Sequence, residues 1–299
     1  AFLEPRLAGL HDPLQLKDMD LAVARTLQAL DGGEPICLYG DYDADGMTSV
    51  ALLVTFFNAI GVSVQTFVPD RLRDGYGLNV ERVREICQGG VRLLIALDCG
   101  THSLEEARLA SSLGTDMIVL DHHEPGNELP KVAALVNPRR ADCSFACKEL
   151  ASVGLAFYFA GAVRRALVAS GRNVPAVDLK DLLDFVAIGT VADMVPLIED
   201  NRVFTVHGLN RINHRPRCGV AALCAVADLD GRTVTAGNIA FHLAPRLNAS
   251  GRLSDAAHSV DLLLARDAEE AKRLAGELDQ ENSDRRRIEA EVLDAVDEA

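Results

Sequence analysis

A chain of 299 residues with 48% hydrophobic and 25% charged side chains has the composition of a folded protein able to bury a sizeable core. The formal net charge of −14 argues against a generally basic nucleic-acid-binding surface, although a local groove stays compatible with it. No apolar run approaches a membrane span, residues 1–30 lack a signal-peptide pattern, and seven scattered cysteines without a C-x-x-C pair favour reduced thiols and a cytoplasmic setting.

Residues 20–30 have helical spacing and end at Asp31-Gly32-Gly33. The apolar run 36–39 predicts a buried strand, and the apolar run 50–60 predicts a helix with Gly61 just past its end. Between them stands Gly40-Asp41-Tyr42-Asp43-Ala44-Asp45-Gly46-Met47-Thr48-Ser49. Three carboxylates at alternating positions where a strand gives way to a helix repel one another unless a cation lies among them. A polar loop with an Asp cap is the plainer alternative, and it accounts for one carboxylate better than for three.

Residues 62–68 alternate as a second strand, followed by a glycine-punctuated loop over 69–78 whose Arg71 and Arg73 suit either an anion or a solvated turn. A third strand over 93–97 ends in Asp98-Cys99-Gly100, and a helix over 103–113 follows. A fourth strand, 117–120, ends in Asp121-His122-His123, and a fifth, 133–136, ends in Asn137-Pro138. This alternation predicts an α/β fold, a parallel sheet with helices on both faces and polar clusters at the carboxyl ends of its strands.

Beyond residue 150 the pattern turns helical, over 151–170 and 177–188. Asp193 is then the one carboxylate in the apolar run 189–197, so it either caps a helix or is paired or metal-bound. Residues 200–265 read as short helices around a loop at 244–253, whose Arg246 and Arg252 flank small residues and suit a phosphate contact. Asn248 and Ser250 of this loop could add hydrogen bonds. A long charged helix runs from about 267 to the end, with a solvated basic triplet at 285–287. Both chain ends suggest a piece of a longer protein.

Asp43, Asp45, Asp98, His122 and Asp193 could supply carboxylate and imidazole ligands to two cations. Adjacent His122 and His123 point in different directions, so one suits the metal and the other the substrate. Such a set suits manganese, or magnesium where carboxylates dominate, and two such ions clamp the attacking and leaving oxygens of displacement at phosphorus. No G-x-S-x-G elbow, Walker loop or dinucleotide fingerprint is present.

Asp-Tyr-Asp-Ala-Asp-Gly at 41–46, Asp-Cys-Gly at 98–100, Asp-His-His at 121–123 and Gly-Thr-Val-Ala-Asp-Met-Val-Pro-Leu at 189–197 resemble the ordered motifs of the DHH phosphoesterase superfamily. Asp-Gly-Tyr-Gly-Leu at 74–78 and Pro-Arg-Leu-Asn-Ala-Ser-Gly-Arg-Leu at 245–253 narrow this to the RecJ-like single-strand-specific exonucleases. The resemblance implies a DHH domain over 35–199, preceded by an N-terminal helical segment (1–34) and followed by a helical region and connector helix (200–299). It implies 5′-to-3′ degradation of single-stranded DNA in repair and recombination, with two Mn2+ or Mg2+ ions. Asp43, Asp45, Asp98, His122 and Asp193 would be metal ligands, supported by Asp41 and His123. Arg71, Arg246 and Arg252 would contact DNA phosphates, a single-strand-binding protein and a helicase would be partners, and no membrane is involved.

The family continues into a second domain with a glycine-rich substrate-binding motif, and often an oligonucleotide-binding barrel; neither follows here, which puts full DNA grip in question. Two other readings are a hydrolase of short oligonucleotides or cyclic dinucleotides, against which the 245–253 segment speaks, and an inactive replication scaffold. A scaffold would be expected to lose metal ligands, and none is lost.

Overall fold

Four apolar, largely buried segments and one short exposed edge strand, β2, assemble as parallel strands in the order β2-β1-β3-β4-β5. They are β1 (Ile36–Gly40), β2 (Gln65–Phe67), β3 (Leu93–Leu97), β4 (Asp116–Leu120) and β5 (Ala134–Val136). The computed structural model describes residues 3–71, 73–172, 177–253 and 256–297, with backbone alone at 252–253 and 293–297. Register is continuous across the middle of the sheet: Gly40 pairs with Leu97, and Leu97 with Leu120. The carboxyl ends of β1, β3 and β4 are therefore flush, and the residues just beyond them are neighbours.

Side chains alternate between the two faces. Leu38, Ile95, Leu97 and Ile118 face one core with α1 (Met19–Gly32), α2 (Ala44–Ala59) and α5 (Ser152–Ala169). Tyr39, Leu94, Ala96 and Val119 face a smaller core with α3 (Val80–Gln88) and α4 (Leu104–Ser112). Helices thus cover both faces, as expected. The larger core extends through α6 (Leu183–Ala192), α7 (Glu199–His214) and α8 (Cys218–Val226). It continues through α9 (Ala236–Asn238), a π-helical turn (Ile239–Leu243), α10 (Ala244–Leu253), α11 (Ala257–Leu264) and α12 (Ala268–Asp297), reaching Leu278.

Several boundaries differ from those the sequence predicts. Helix α2 begins at Ala44, not after Ser49, because the Asp43 carboxylate accepts from the backbone N–H groups of Asp45 and Gly46 and nucleates the first turn. The polar part of the motif is helical and buried, and its hydroxyls are turned back onto helix carbonyls, Thr48 to Ala44 and Ser49 to Asp45. The helix expected over 177–188 is a 3-10 turn (Leu179–Leu182) leading into α6, which runs on to Ala192.

The segment 244–253, expected as a loop, is helix α10. Pro245 lacks an N–H and crowds the preceding turn, and the wider π-helical turn before it makes room without ending the helix. Gly251 marks close packing and not a bend: a Cβ there would lie 2.5 Å from the Tyr42 carbonyl oxygen.

Contrary to expectation, Ser152–Ala169 has the length and mean hydropathy (1.3) of a membrane span. It is 67% buried and packs against α1, α2 and the sheet as a core helix. All seven cysteines are free.

Candidate metal centre at the carboxyl edge of the sheet

The chain passes from β1 to β2 on one side and then to β3 on the other, so the sheet changes direction between β1 and β3. Crevices form at such points, outside the carboxyl ends of the strands. Asp41 follows β1, Asp98 follows β3, and Asp121-His122-His123 follows β4. The backbone N–H of Asp41 donates to Leu97, that of Asp98 to Leu120, and that of Asp121 to Val136. Each functional residue is thereby locked to the end of its neighbouring strand. Gly46 lets the motif fold back on itself, since a Cβ there would lie 2.4 Å from the Asp41 carbonyl oxygen.

Asp43 is the N-cap of α2, and Asp45 lies in the first turn, fully buried. Both oxygens of the Asp45 carboxylate accept from the start of α5: Oδ2 from Ser152 N at 2.7 Å and Oδ1 from Val153 N at 2.9 Å. The helix N-terminus suits a carboxylate there. The Ser152 hydroxyl donates to Asp98 Oδ1 at 3.0 Å, and Asp98 holds a left-handed φ of 62°. Asp193 ends α6 through its backbone N–H alone, and its carboxylate faces the cluster, so the helix-capping role open to its side chain in the sequence is not the one it takes.

His122 is the centre of the arrangement. Its side chain is 8% exposed, and neither ring nitrogen has a hydrogen-bond partner. Its Nε2 lies 3.4 Å from Asp98 Oδ1, 3.6 Å from Asp193 Oδ2 and 4.0 Å from Asp45 Oδ2. These are not ion pairs, because burial and the neighbouring His123 lower the His122 pKa to about 4 and leave it neutral. A neutral buried imidazole with no donor or acceptor, facing three carboxylates, fits a bound cation.

Donor atoms of Asp45, His122 and Asp193 lie within 4.8 Å of one another, and so do those of Asp41, Asp43 and Asp98. Donor atoms of Asp98, His122 and His123 meet the same distance, so Asp98 adjoins both groups, and together these residues could hold divalent ions. His123 is held differently. Its Nδ1 meets Asp121 at 2.7 Å, its Nε2 meets the Tyr76 hydroxyl at 2.9 Å, and its pKa is raised chiefly by the Asp121 hydrogen bond.

Electrostatics point the same way. Burial, then repulsion from Asp43, raises the Asp41 and Asp193 pKa values to about 7. Burial and the neighbouring carboxylates push Asp45 and Asp98 well above the ordinary range. The metal-free folded chain therefore holds protons that the unfolded chain releases near pH 4. The contribution of these four carboxyl groups to stability is therefore fullest below about pH 4 and is lost as pH rises toward 7, and divalent cations would replace those protons. The difference in Tm with and without Mn2+ is accordingly expected to grow from pH 5.5 to 7.5; a difference that stays flat across that range would exclude the cluster as the binding site.

The structure does not bring every expected residue to this edge. Arg71 is near it and exposed, its guanidinium 5.5 Å from the centre of the Tyr42 ring, which stacks edge-on with Tyr76. Arg246 is a correction: it is buried, paired with Asp279 at 2.8 Å and bonded to the His242 carbonyl. Ser250 is fully buried and donates to the Leu247 carbonyl, and Asn248 Oδ1 accepts from Ala44 N at 2.7 Å, tying α10 to the motif. Helical periodicity turns 246 and 250 onto one inward face, where a loop would have left them accessible. The Arg252 side chain lies outside the described residues.

Ser152, Tyr76, Asn137 and Arg139 were missed as site residues. Asn137 donates to the His123 carbonyl at 2.8 Å, and Arg139 is close enough to lower the pKa values of Asp193 and His122. Asn137-Pro138-Arg139 at a strand end was the available signal. Nothing in the sequence around Ser152 marks it.

Comparison with known proteins agrees with this geometry. Residues 35–190 match the family model of the DHH family, N-terminal domain. The chain is 43% identical over 293 residues to the single-stranded-DNA-specific exonuclease RecJ of Escherichia coli and 40% identical over 293 residues to that of Bacillus subtilis. These alignments cover 96% and 98% of this chain but 51% and 36% of the relatives, so the chain spans about half their length or less. A crystal structure of exonuclease RecJ bound to manganese superposes with a TM-score of 0.84 at 36% identity, covering 94% of this chain and 69% of that one. The chain therefore belongs to the DHH family, in its RecJ branch.

Proposed function

We propose that this chain is the catalytic core of a phosphodiesterase that degrades single-stranded DNA from its 5′ end with two divalent ions, Mn2+ or Mg2+. The observation that carries the reading is His122, buried without a hydrogen-bond partner and faced by Asp45, Asp98 and Asp193. Asp41, Asp43 and Asp98 would hold one ion, and Asp45, His122 and Asp193 the other. Bound there, the ions supply Lewis-acid polarisation of the phosphodiester and a more acidic water. The chain's own contribution is rigidity: the start of α5 fixes Asp45 and Asp98, so the carboxylates are aimed before substrate arrives.

His123 is the proton-bearing group. Asp121 holds its Nδ1–H and favours the charged ring, while Nε2 faces the half-open side of the site through Tyr76. From there it donates to a phosphate oxygen or to the leaving oxygen. Arg71, exposed over Tyr42, is the proposed phosphate contact at the strand end. The reading extends to a role in DNA repair and recombination, to a cytoplasmic setting, supported by the seven free cysteines, and to single-strand-binding protein and helicase partners. It is supported by the single-strand specificity named for the E. coli and B. subtilis relatives.

With Arg246 turned inward, the 245–253 segment no longer speaks against a hydrolase of short oligonucleotides, so the test includes one. Labelled 5′-phosphorylated single strands, duplexes and a dinucleotide are incubated with and without Mn2+. Shortening of the single strand from its 5′ end, in Mn2+ only and with the duplex spared, is expected. Preference for the dinucleotide would move the reading to the short-substrate hydrolases, and an inert chain that still binds Mn2+ would move it to the scaffold.

A further inference from the structure

Helix α6 ends at Ala192 with Asp193 as its C-cap, and the next residue, Met194, adopts a left-handed φ of 62°. This position after a helix is ordinarily taken by glycine, because a Cβ is strained there. Burial of the side chain could offset the strain, yet Met194 is 86% exposed. Among the large apolar side chains of the described residues, only Leu3, near the N-terminus, is more exposed, at 88%. The backbone and the side chain are thus both held in states that fold stability disfavours. The neighbouring carboxylate, Asp193 Oδ2, is 3.6 Å from His122 Nε2, so this cost falls at the rim of the metal centre. Strain of this kind at a site's edge is a sign of function.

We propose that Met194 lies against the face of a nucleobase near the 5′ end of the strand whose phosphate reaches the Asp193–His122 cluster. The inference rests on the reading of the site as a single-stranded-DNA phosphodiesterase. An unbranched thioether suits this task. It adapts its shape, its sulfur makes favourable contacts with aromatic rings, and every base offers such a face, so the contact is tolerant of sequence. Left-handed backbone at the end of α6 directs the side chain away from the protein core, leaving it without packing of its own.

The test compares the unsubstituted chain with Met194→Gly and Met194→Leu, using Mn2+-loaded protein. The Tm and the affinity for a labelled 5′-phosphorylated oligonucleotide are measured, the latter before turnover. The Tm of Met194→Gly is expected to hold or to rise by up to roughly 2–4 °C as the strain is relieved. Its Kd is expected to weaken about 2- to 10-fold, the range of one sulfur–aromatic contact. Met194→Leu, which keeps an apolar surface, should fall between the two. With an oligonucleotide lacking its first two bases, the unsubstituted chain and Met194→Gly should bind alike. Equal affinity for the intact strand, including no affinity in either protein, overturns the inference, as does a loss that persists on the base-free strand. Hydrolysis is scored separately: a chain that binds through Met194 but never cleaves in Mn2+ counts against the parent reading alone.

Discussion

Replacing Asp98 with asparagine is expected to abolish Mn2+-dependent hydrolysis, by on the order of 10³-fold or more, while the metal-free chain becomes more stable. Asp98 adjoins both ligand groups, so losing its charge weakens both proposed ion sites at once. It is also fully buried among Asp41, Asp43, Asp45 and Asp121, whose repulsion adds to desolvation in resisting ionisation. Neutral asparagine removes that repulsion. It can still accept from the Ser152 hydroxyl, and it tolerates the left-handed φ of 62° better than most residues. Calorimetric Mn2+ titration, thermal melts without metal and cleavage assays on one preparation give all three answers. Near-normal cleavage by Asp98→Asn would end the two-ion assignment.

The two adjacent histidines are expected to fail in different ways. His122→Ala should lose Mn2+ affinity by at least about 10²-fold, because it removes the imidazole that faces Asp45, Asp98 and Asp193. His123→Ala should bind Mn2+ nearly as well as the unsubstituted chain and lose roughly 10²–10⁴-fold in rate, the range of a positioned proton donor. Both its ring nitrogens already have partners in Asp121 and Tyr76, whereas those of His122 have none. Asp121 keeps its backbone donors from Thr101, His122 and His123 in that variant, so the strand end should hold its shape. Metal loss in His123→Ala with metal retained in His122→Ala would exchange the two roles.

Sequence alone was enough for the sheet, and the reason is local. Strands β1, β3 and β4 are apolar runs buried on both faces, and each stops at a charged residue, so run and stop are both visible in one dimension. Asp41, Asp43, Asp45, Asp98 and the two histidines were legible for the same reason, since each sits at or just past a strand end. Asp193 was ambiguous because capping a helix and facing a cation call for the same residue; only the packing of α6 on α2 put its carboxylate 3.6 Å from His122. The roles within 244–253 were decided wholly by tertiary structure. Proline, glycine and serine read as a loop in isolation, but close contact of Gly251 with Tyr42 and the Arg246–Asp279 pair make the segment a packed helix. Ser152 was invisible for the converse reason. A serine at a helix start is ordinary, and its significance lies in Asp45 and Asp98, 107 and 54 residues away along the chain, which only folding brings within hydrogen-bond reach.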